Sequence, residues 1–388
     1  MVQQFFLDEI SRRAHAAVHL AEPLALTDLL TPALVLNRPA LQRNIVKMAA
    51  HVNQYGKGFR PHAKTHKCPL ICHEQLNAGA VGVCVAKVSE AAALIAGGVS
   101  DILVTSPITT RSKARVMAQL ARSTPGLMCV IDSMAGLDVL AQSLSAEGQM
   151  DVLIDIDVAM GRTGVRELEE ILRLAAKIQS DSRLRFRGVQ HYAGHLMHIQ
   201  NFVERREKSL RLWAEVTATV DYLAAQGFAS EIITGSGTGT YNIDVEVPAI
   251  TDIQVGSYIF MDEEYRQVRT AEDTRFTDFE VALTVACSTI SQPKPNRLTL
   301  DGGTKAFASE SVAPVSDELA NVVFHFAGDE HGVLLLPKGE QSVALGQVLQ
   351  FVTPHCDPTV NLHDYYWVQE ADGLIHSCWP ITARGCVW

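Results

Sequence analysis

No run in the chain approaches the roughly 18 uninterrupted apolar residues that a membrane span needs, so no membrane partner is expected. The opening segment, "MVQQFFLDEISRRAHAAVHL", sets Asp8 and Glu9 directly behind its few apolar residues and has no long apolar core, so it is not expected to be a secretory signal. Cys-x-x-Cys pairs are missing as well. The eight cysteines (Cys68, Cys72, Cys84, Cys129, Cys287, Cys356, Cys378 and Cys386) are scattered through a chain too large to need staples, and they read as reduced thiols of a cytoplasmic protein. Basic charge is not in excess. Lys and Arg number 33 against 43 Asp and Glu, a net charge of -10, and no basic stripe offsets the repulsion from phosphate, so nucleic acid is excluded as a partner. With 47% apolar and 20% charged residues, nothing resembles a disordered segment.

What is present is a repeat. From about residue 58, short apolar runs alternate with amphipathic helical stretches: "GFRPHAK", "AVGVCVAK", "DILVTS", "GLMCVID", "DVLIDIDV", "LRFRGVQHY", "SEIITGS" and "DIQVGSYIF" are the strands. Strand and helix units in this number predict a parallel (β/α)8 TIM-like barrel, with an open doubly wound sheet as the alternative. After about residue 275, "FEVALTVACSTI", "NRLTLDGG", "VVFHFA", "GVLLLP", "QVLQFVTP" and "YYWVQEADGLIHSCWPI" are strands broken by Gly, Pro, Asp and Asn, which predicts a second, C-terminal all-β domain. The expected division is an N-terminal helical extension over 1–30, the barrel over 31–270 and the β domain over 271–388. The strand at 32–37 is expected to pair with the β domain.

Reactive groups of such barrels gather where strands end. In "RPHAKTHKCP", an extended strand places Arg60, His62 and Lys64 on one face, while Lys67 falls near the start of the next helix. An inward lysine is costly unless paired or deprotonated, so Lys64 is the candidate for chemistry, and a rim ion pair is the plainer alternative. "GSGTGTY", Gly235 to Tyr241, offers glycines and amides for a phosphate nest, or merely a tight turn. An inward lysine facing such a nest suits pyridoxal phosphate. In "VTPHCDPTVNLHD", His355 and Asp357 share a face if the segment is extended, with Cys356 turned away. The pair suits Mn²⁺, Mg²⁺ or Zn²⁺, although an Asp-Pro turn explains it too. His363 and Asp364 either extend this cluster or form a solvated turn. "HYAGHLMH" holds His191, His195 and His198, of which one is a better candidate acid or base than all three are zinc ligands.

Together, "RPHAKTHKCP", "GVCVAKVSEA", "DVAMGRTGV", "GSGTGT", "VGSYIFMD", "DEHGV" and "HCDPTVNLHD…WPITARG" resemble the D-threonine aldolase and D-serine dehydratase-like family, from about Thr31 onward. These are pyridoxal phosphate enzymes of the alanine racemase type of fold (fold type III). The resemblance implies that Lys64 carries the cofactor through an imine and that Gly237, Thr238 and Gly239 hold its phosphate. Arg162 and Tyr192 flank its ring, Tyr258 belongs to the same site, and His355 with Asp357 binds a divalent metal. His198 is implied as the base on the substrate hydroxyl. His-x-Asp at the metal marks the aldolase branch, whereas the dehydratase branch has His-x-Cys. The implied reaction converts a β-hydroxy-D-amino acid, of the D-threonine or 3-hydroxyaspartate type, to glycine and an aldehyde in a homodimeric enzyme. A metal-assisted dehydratase and a non-catalytic pyridoxal phosphate carrier are the competing functions. Tyr192-Ala193-Gly194-His195 and the segment after Asp262 depart from the family, and both line the expected substrate pocket.

Overall fold

The computed structural model describes residues 2–145, 149–308, 312–337 and 343–388. Eight parallel strands form the barrel: Gly58–Phe59, Val83–Val85, Ile102–Val104, Met128–Ile131, Met150–Ile156, Leu184–His191, Ile232–Gly235 and Asp252–Ile253. Ile253 pairs with Phe59, and the ring closes where the Ala63 amide donates to the Cys84 carbonyl at 2.7 Å and the Cys84 amide to Pro61 at 2.8 Å. Successive strand residues take opposite faces. Cys84, Leu103, Met128, Val130, Leu153 and Ile232 therefore form one inward cluster, while neighbours such as Val83, Val85, Ile102 and Val104 pack outward under the helices.

The interior also carries a polar chain. Arg60 Nε lies 3.5 Å from Asp252, which accepts from Thr234 at 2.7 Å. Gln254 donates to Thr234 at 3.1 Å and Gln190 donates to Asp155 at 2.8 Å. Thr234, Asp252, Gln254, Gln190 and Asp155 are thereby hydrogen-bonded, and Arg60 offsets the charge of Asp252, which removes much of the cost of placing them there.

The helices start where their sequences can cap them. Asn37 accepts from the Ala40 amide at 3.0 Å ahead of Arg38–Gln54, and Asn201 accepts from Glu204 at 2.9 Å ahead of Phe202–Ala225.

A second, mostly antiparallel sheet contains Leu283–Lys294, Arg297–Leu300, Val323–Phe326, Gly332–Leu335, Val348–Val352, Tyr365–Gln369 and Ile375–Pro380. Ala33–Asn37 joins it, antiparallel to Leu283–Lys294 and parallel to Tyr365–Gln369. The extension at 1–30 is not only helical. After the helix Val2–Ser11, Val18–Leu24 pairs with Ile375–Pro380 at the sheet edge. Its alternation is masked by Pro23 and by an exposed outer face, so no apolar run announces it.

His191, at the end of the sixth barrel strand, is 2% exposed and meets Trp213 edge-on at 4.1 Å. Burial lowers its pKa to about 3. Below the ordinary histidine pKa the unfolded chain takes up a proton that the folded one refuses, so stability falls as pH drops from 6.5 toward 3. Between neutral pH and about pH 5, His191→Leu should lose about 2 kcal/mol less stability than the parent, measured by urea unfolding. Equal losses would show that this histidine is not a source of acid sensitivity.

Candidate active site

The chain does not remain extended up to Lys64. Backbone pairing runs on from Phe59 to His62, whose amide donates to the Val255 carbonyl at 2.8 Å, and Ala63 to His66 then wind into a turn, with the Lys67 amide donating to the Ala63 carbonyl at 2.7 Å. Strand alternation therefore does not set the direction of Lys64. The turn carries its ammonium to Asp357 Oδ1, across to the β domain, with the lysine side chain 41% exposed.

Burial opposes the charge on Asp357, but the Lys64 ammonium and the His355 ring outweigh it and hold the carboxyl well below its usual range. Burial likewise opposes the charge on Lys64, and Asp357 more than restores it.

Lys67 goes elsewhere. It adopts a φ of 52°, and its ammonium lies 2.5 Å from Glu90 Oε1 in a pair whose side chains are 7% and 4% exposed. Glu90 Oε2 accepts from the Ala86 and Lys87 amides at 2.8 and 3.1 Å at the start of Val88–Ala96. Lys67 is a structural ion.

His355 and Asp357 are not in an extended segment either. His355 precedes the short helix Cys356–Val360, on which Asp357 sits in the first turn. The two side chains still converge, with His355 Nε2 at 4.0 Å from Asp357 Oδ2. Cys356, expected to turn away, directs its thiol to that same oxygen at 3.5 Å. Burial raises its pKa well above the usual thiol value, so it stays protonated. Among the described residues no group of three or more His, Cys, Asp or Glu is arranged to hold a metal ion. His363 and Asp364 do not join the pair: His363 Nε2 meets the Ala306 carbonyl at 2.9 Å, and Asp364 pairs with Arg384 at 2.9 Å.

Opposite Lys64, the loop after Ile232–Gly235 is buried from Ser236 to Thr240. A Cβ on Gly237 would lie 2.6 Å from Met197 Sδ and one on Gly239 2.2 Å from the Met197 carbonyl oxygen, so both glycines let the loop press against the turn at Gly194–Leu196. Among the described residues the amides of Gly237, Thr238 and Gly239 donate to no protein acceptor. Buried donors left over in this way suit an anion, which favours the phosphate reading of this turn over a merely tight loop. The Thr238 hydroxyl accepts from the Tyr258 amide at 3.0 Å. Tyr258 meets this loop only through that amide: its own hydroxyl accepts from Gln75 at 3.0 Å and its ring packs on Phe279 in the core. Arg162 places its guanidinium 5.1 Å from the centre of the Tyr192 ring.

Of the three histidines in "HYAGHLMH", only His198 reaches the metal-motif side. Its Nε2 is 3.9 Å from Glu264 Oε2, and its ring lies against Tyr265 at 4.7 Å. Burial lowers its pKa, Glu264 opposes that shift and His355 adds to it. His195 is exposed on the short Gly194–Leu196 turn and makes none of these contacts.

Glu264 was not singled out in the sequence, although "MDEEY" lies in the loop region beyond the last barrel strand. Its Oε2 is 3.5 Å from His355 Nδ1. Asp262 was also missed. It is fully buried and accepts from the Tyr265 amide at 3.0 Å and the Cys356 amide at 2.9 Å.

This fold, a closed parallel barrel whose rim is completed by a β domain, is that of an enzyme of the alanine racemase type. The family profile of the alanine racemase N-terminal domain matches residues 36–264, and that of a putative serine dehydratase domain matches residues 282–369. The chain is 36% identical to a D-threonine aldolase of Arthrobacter sp over 94% of both chains. It is 34% identical to a 3-hydroxy-D-aspartate aldolase of Paracoccus denitrificans (strain Pd 1222), over 92% of this chain and 93% of that one. The crystal structure of D-threonine aldolase from Filomicrobium marinum superposes with a TM-score of 0.90 at 33% identity, covering 97% of this chain and 100% of that one. The chain belongs to the D-threonine aldolase and D-serine dehydratase-like family of pyridoxal phosphate enzymes.

The two lysines should separate cleanly by experiment. Borohydride reduction of the holoenzyme followed by peptide mapping is expected to find the cofactor on Lys64, and label on Lys67 would reassign the site. Lys67→Met should cost about 3–5 kcal/mol in unfolding experiments by stranding the buried Glu90 carboxylate.

Proposed function

We propose that the chain is a carbon-carbon lyase that cleaves a β-hydroxy-D-amino acid to glycine and an aldehyde, using pyridoxal phosphate and a divalent metal ion. One observation carries the reading: the β domain delivers His355 and Asp357 to the barrel rim beside Lys64 and His198, residues far apart in sequence. The substrate class follows from the names of the relatives, since D-threonine and 3-hydroxy-D-aspartate are both β-hydroxy-D-amino acids.

Lys64 would hold pyridoxal phosphate covalently, with the amides of Gly237, Thr238 and Gly239 on its phosphate and Arg162 and Tyr192 at its ring; the group supplies a sink for the electron pair left on Cα when the Cα–Cβ bond breaks. His355 and Asp357 would hold a divalent ion that polarises the β-hydroxyl. His198 takes up the hydroxyl proton. Its lowered pKa keeps it neutral near pH 7, as a base must be. The Cα gains a proton in exchange, which balances the conversion to glycine and aldehyde.

Asp357, where the dehydratase branch carries a cysteine, favours cleavage over loss of the hydroxyl. A reducing, cytoplasmic location is supported by the eight cysteines, all unpaired. No helix among the described residues is long and apolar enough to cross a membrane. The homodimeric state rests on the family resemblance.

Product analysis on D- and L-β-hydroxy amino acids, with and without Mn²⁺, tests the reading. Glycine and aldehyde from the D substrates, lost on chelation while the cofactor absorption persists, are expected; ammonia and a keto acid would make the protein a dehydratase. His198→Ala should reduce cleavage by roughly 10²–10⁴-fold and spare cofactor attachment. Full activity in that variant would remove His198 from the chemistry.

A further inference from the structure

The His355 ring has two nitrogens, and the structure gives each a different carboxylate. Nε2 faces Asp357 Oδ2 at 4.0 Å, and Nδ1 faces Glu264 Oε2 at 3.5 Å. An imidazole that ligates a metal must be neutral, with its one proton on the nitrogen away from the ion, and a carboxylate there fixes both tautomer and ring angle.

Glu264 is held in place for this. The Glu263 and Glu264 amides donate to the Thr353 and Pro354 carbonyls at 3.0 and 3.2 Å, directly before His355. Asp262 ties the start of the same turn to the Cys356 amide at 2.9 Å, directly after it. The Glu264 side chain is 12% exposed, and the same Oε2 lies 3.9 Å from His198 Nε2. Its neighbour Glu263 is engaged otherwise, with Arg275 at 2.8 Å and Arg266 at 3.6 Å.

We infer that Glu264 is a positioning residue: it accepts the Nδ1 proton of His355, leaves Nε2 as the metal donor beside Asp357, and sets His198 in the same frame. The inference rests on the metal reading given under Proposed function.

Mn²⁺ titration of the holoenzyme, with free ion followed by electron paramagnetic resonance, tests it without recourse to turnover. Glu264→Ala is expected to weaken Mn²⁺ binding roughly 10–100-fold. Glu264→Gln, whose amide oxygen still accepts the Nδ1 proton, should fall between it and the parent, and the visible cofactor absorption should persist in both. Glu263→Ala should leave the Mn²⁺ Kd unmoved. A Glu264→Ala Kd within twofold of the parent, while Asp357→Ala abolishes binding, would overturn the role of Glu264 alone. Unchanged binding in Asp357→Ala would instead overturn the metal reading, and this inference with it. If Glu264→Ala fails to retain the cofactor absorption, Glu264→Gln decides: several-fold weaker binding supports the inference and an unchanged Kd rejects it.

Discussion

The site depends on one buried carboxylate. Asp262 exposes none of its surface, and its two oxygens accept from the Tyr265 amide, in the turn that follows the last barrel strand, and from the Cys356 amide, at the start of the metal-motif helix. Burial raises its pKa to about 6, against the pull of His355 and of these two amides. A buried carboxylate so placed tolerates little displacement, because an amide that moves away leaves it unsatisfied. The bond fixes the β domain's contribution to the barrel rim to within a hydrogen-bond length. Asn44 acts similarly behind the site. It donates to the Ile259 and Glu280 carbonyls at 3.1 and 2.8 Å and accepts from the Glu280 amide at 2.8 Å. Lys64 and Asp357, 293 residues apart in the chain, meet because of this registration.

With the two domains locked, the charges of the site arrange themselves by pairing. Asp357 presents one oxygen to Lys64 and the other to His355, so a single carboxylate lies between the lysine and the histidine. A thiolate in that position would have one acceptor atom where the carboxylate has two, and could not divide them in this way. The aspartate is therefore suited to a site in which an ammonium and an imidazole are neighbours. His62, in the same turn as Lys64, is pushed well below the ordinary histidine pKa by burial and by the lysine charge. It stays neutral, its Nε2 3.1 Å from Thr105, and adds no repulsion.

The barrel and the β domain were legible because parallel strands buried on both faces are continuous apolar runs, and because the sixth and seventh runs end in "QHY" and "TGSGTGT". Lys64 was legible as a residue, but the route to it was not. Strand alternation singles out Lys64, whereas the chain carries that lysine to Asp357 through a turn that follows His62 and ends at the positive φ of Lys67. His355 and Asp357 were found by a spacing that assumes an extended segment. His355 itself keeps an extended backbone ahead of the helix, and its ring lies within 4.0 Å of Asp357 in the first turn. The strand Val18–Leu24 was invisible, since an exposed edge strand needs no apolar alternation to be held by backbone hydrogen bonds.

Three consecutive acidic residues show where sequence reading stops. In "MDEEY", Asp262, Glu263 and Glu264 are chemically almost alike, yet one bridges two amides, one pairs with arginines and one faces two imidazoles. On a single helical turn, successive side chains are rotated by about 100°, so each looks toward a different neighbour. Apart from the Tyr265 amide and Arg266, those neighbours come from the end of the chain, from the segment around Arg275 and from the sixth barrel strand's loop, outside the local sequence. Composition says only that the turn is acidic. The choice of which carboxylate serves structure and which serves the site is made by what the β domain and the barrel bring to each face of that turn, and it is made by the same contacts that hold the two domains together.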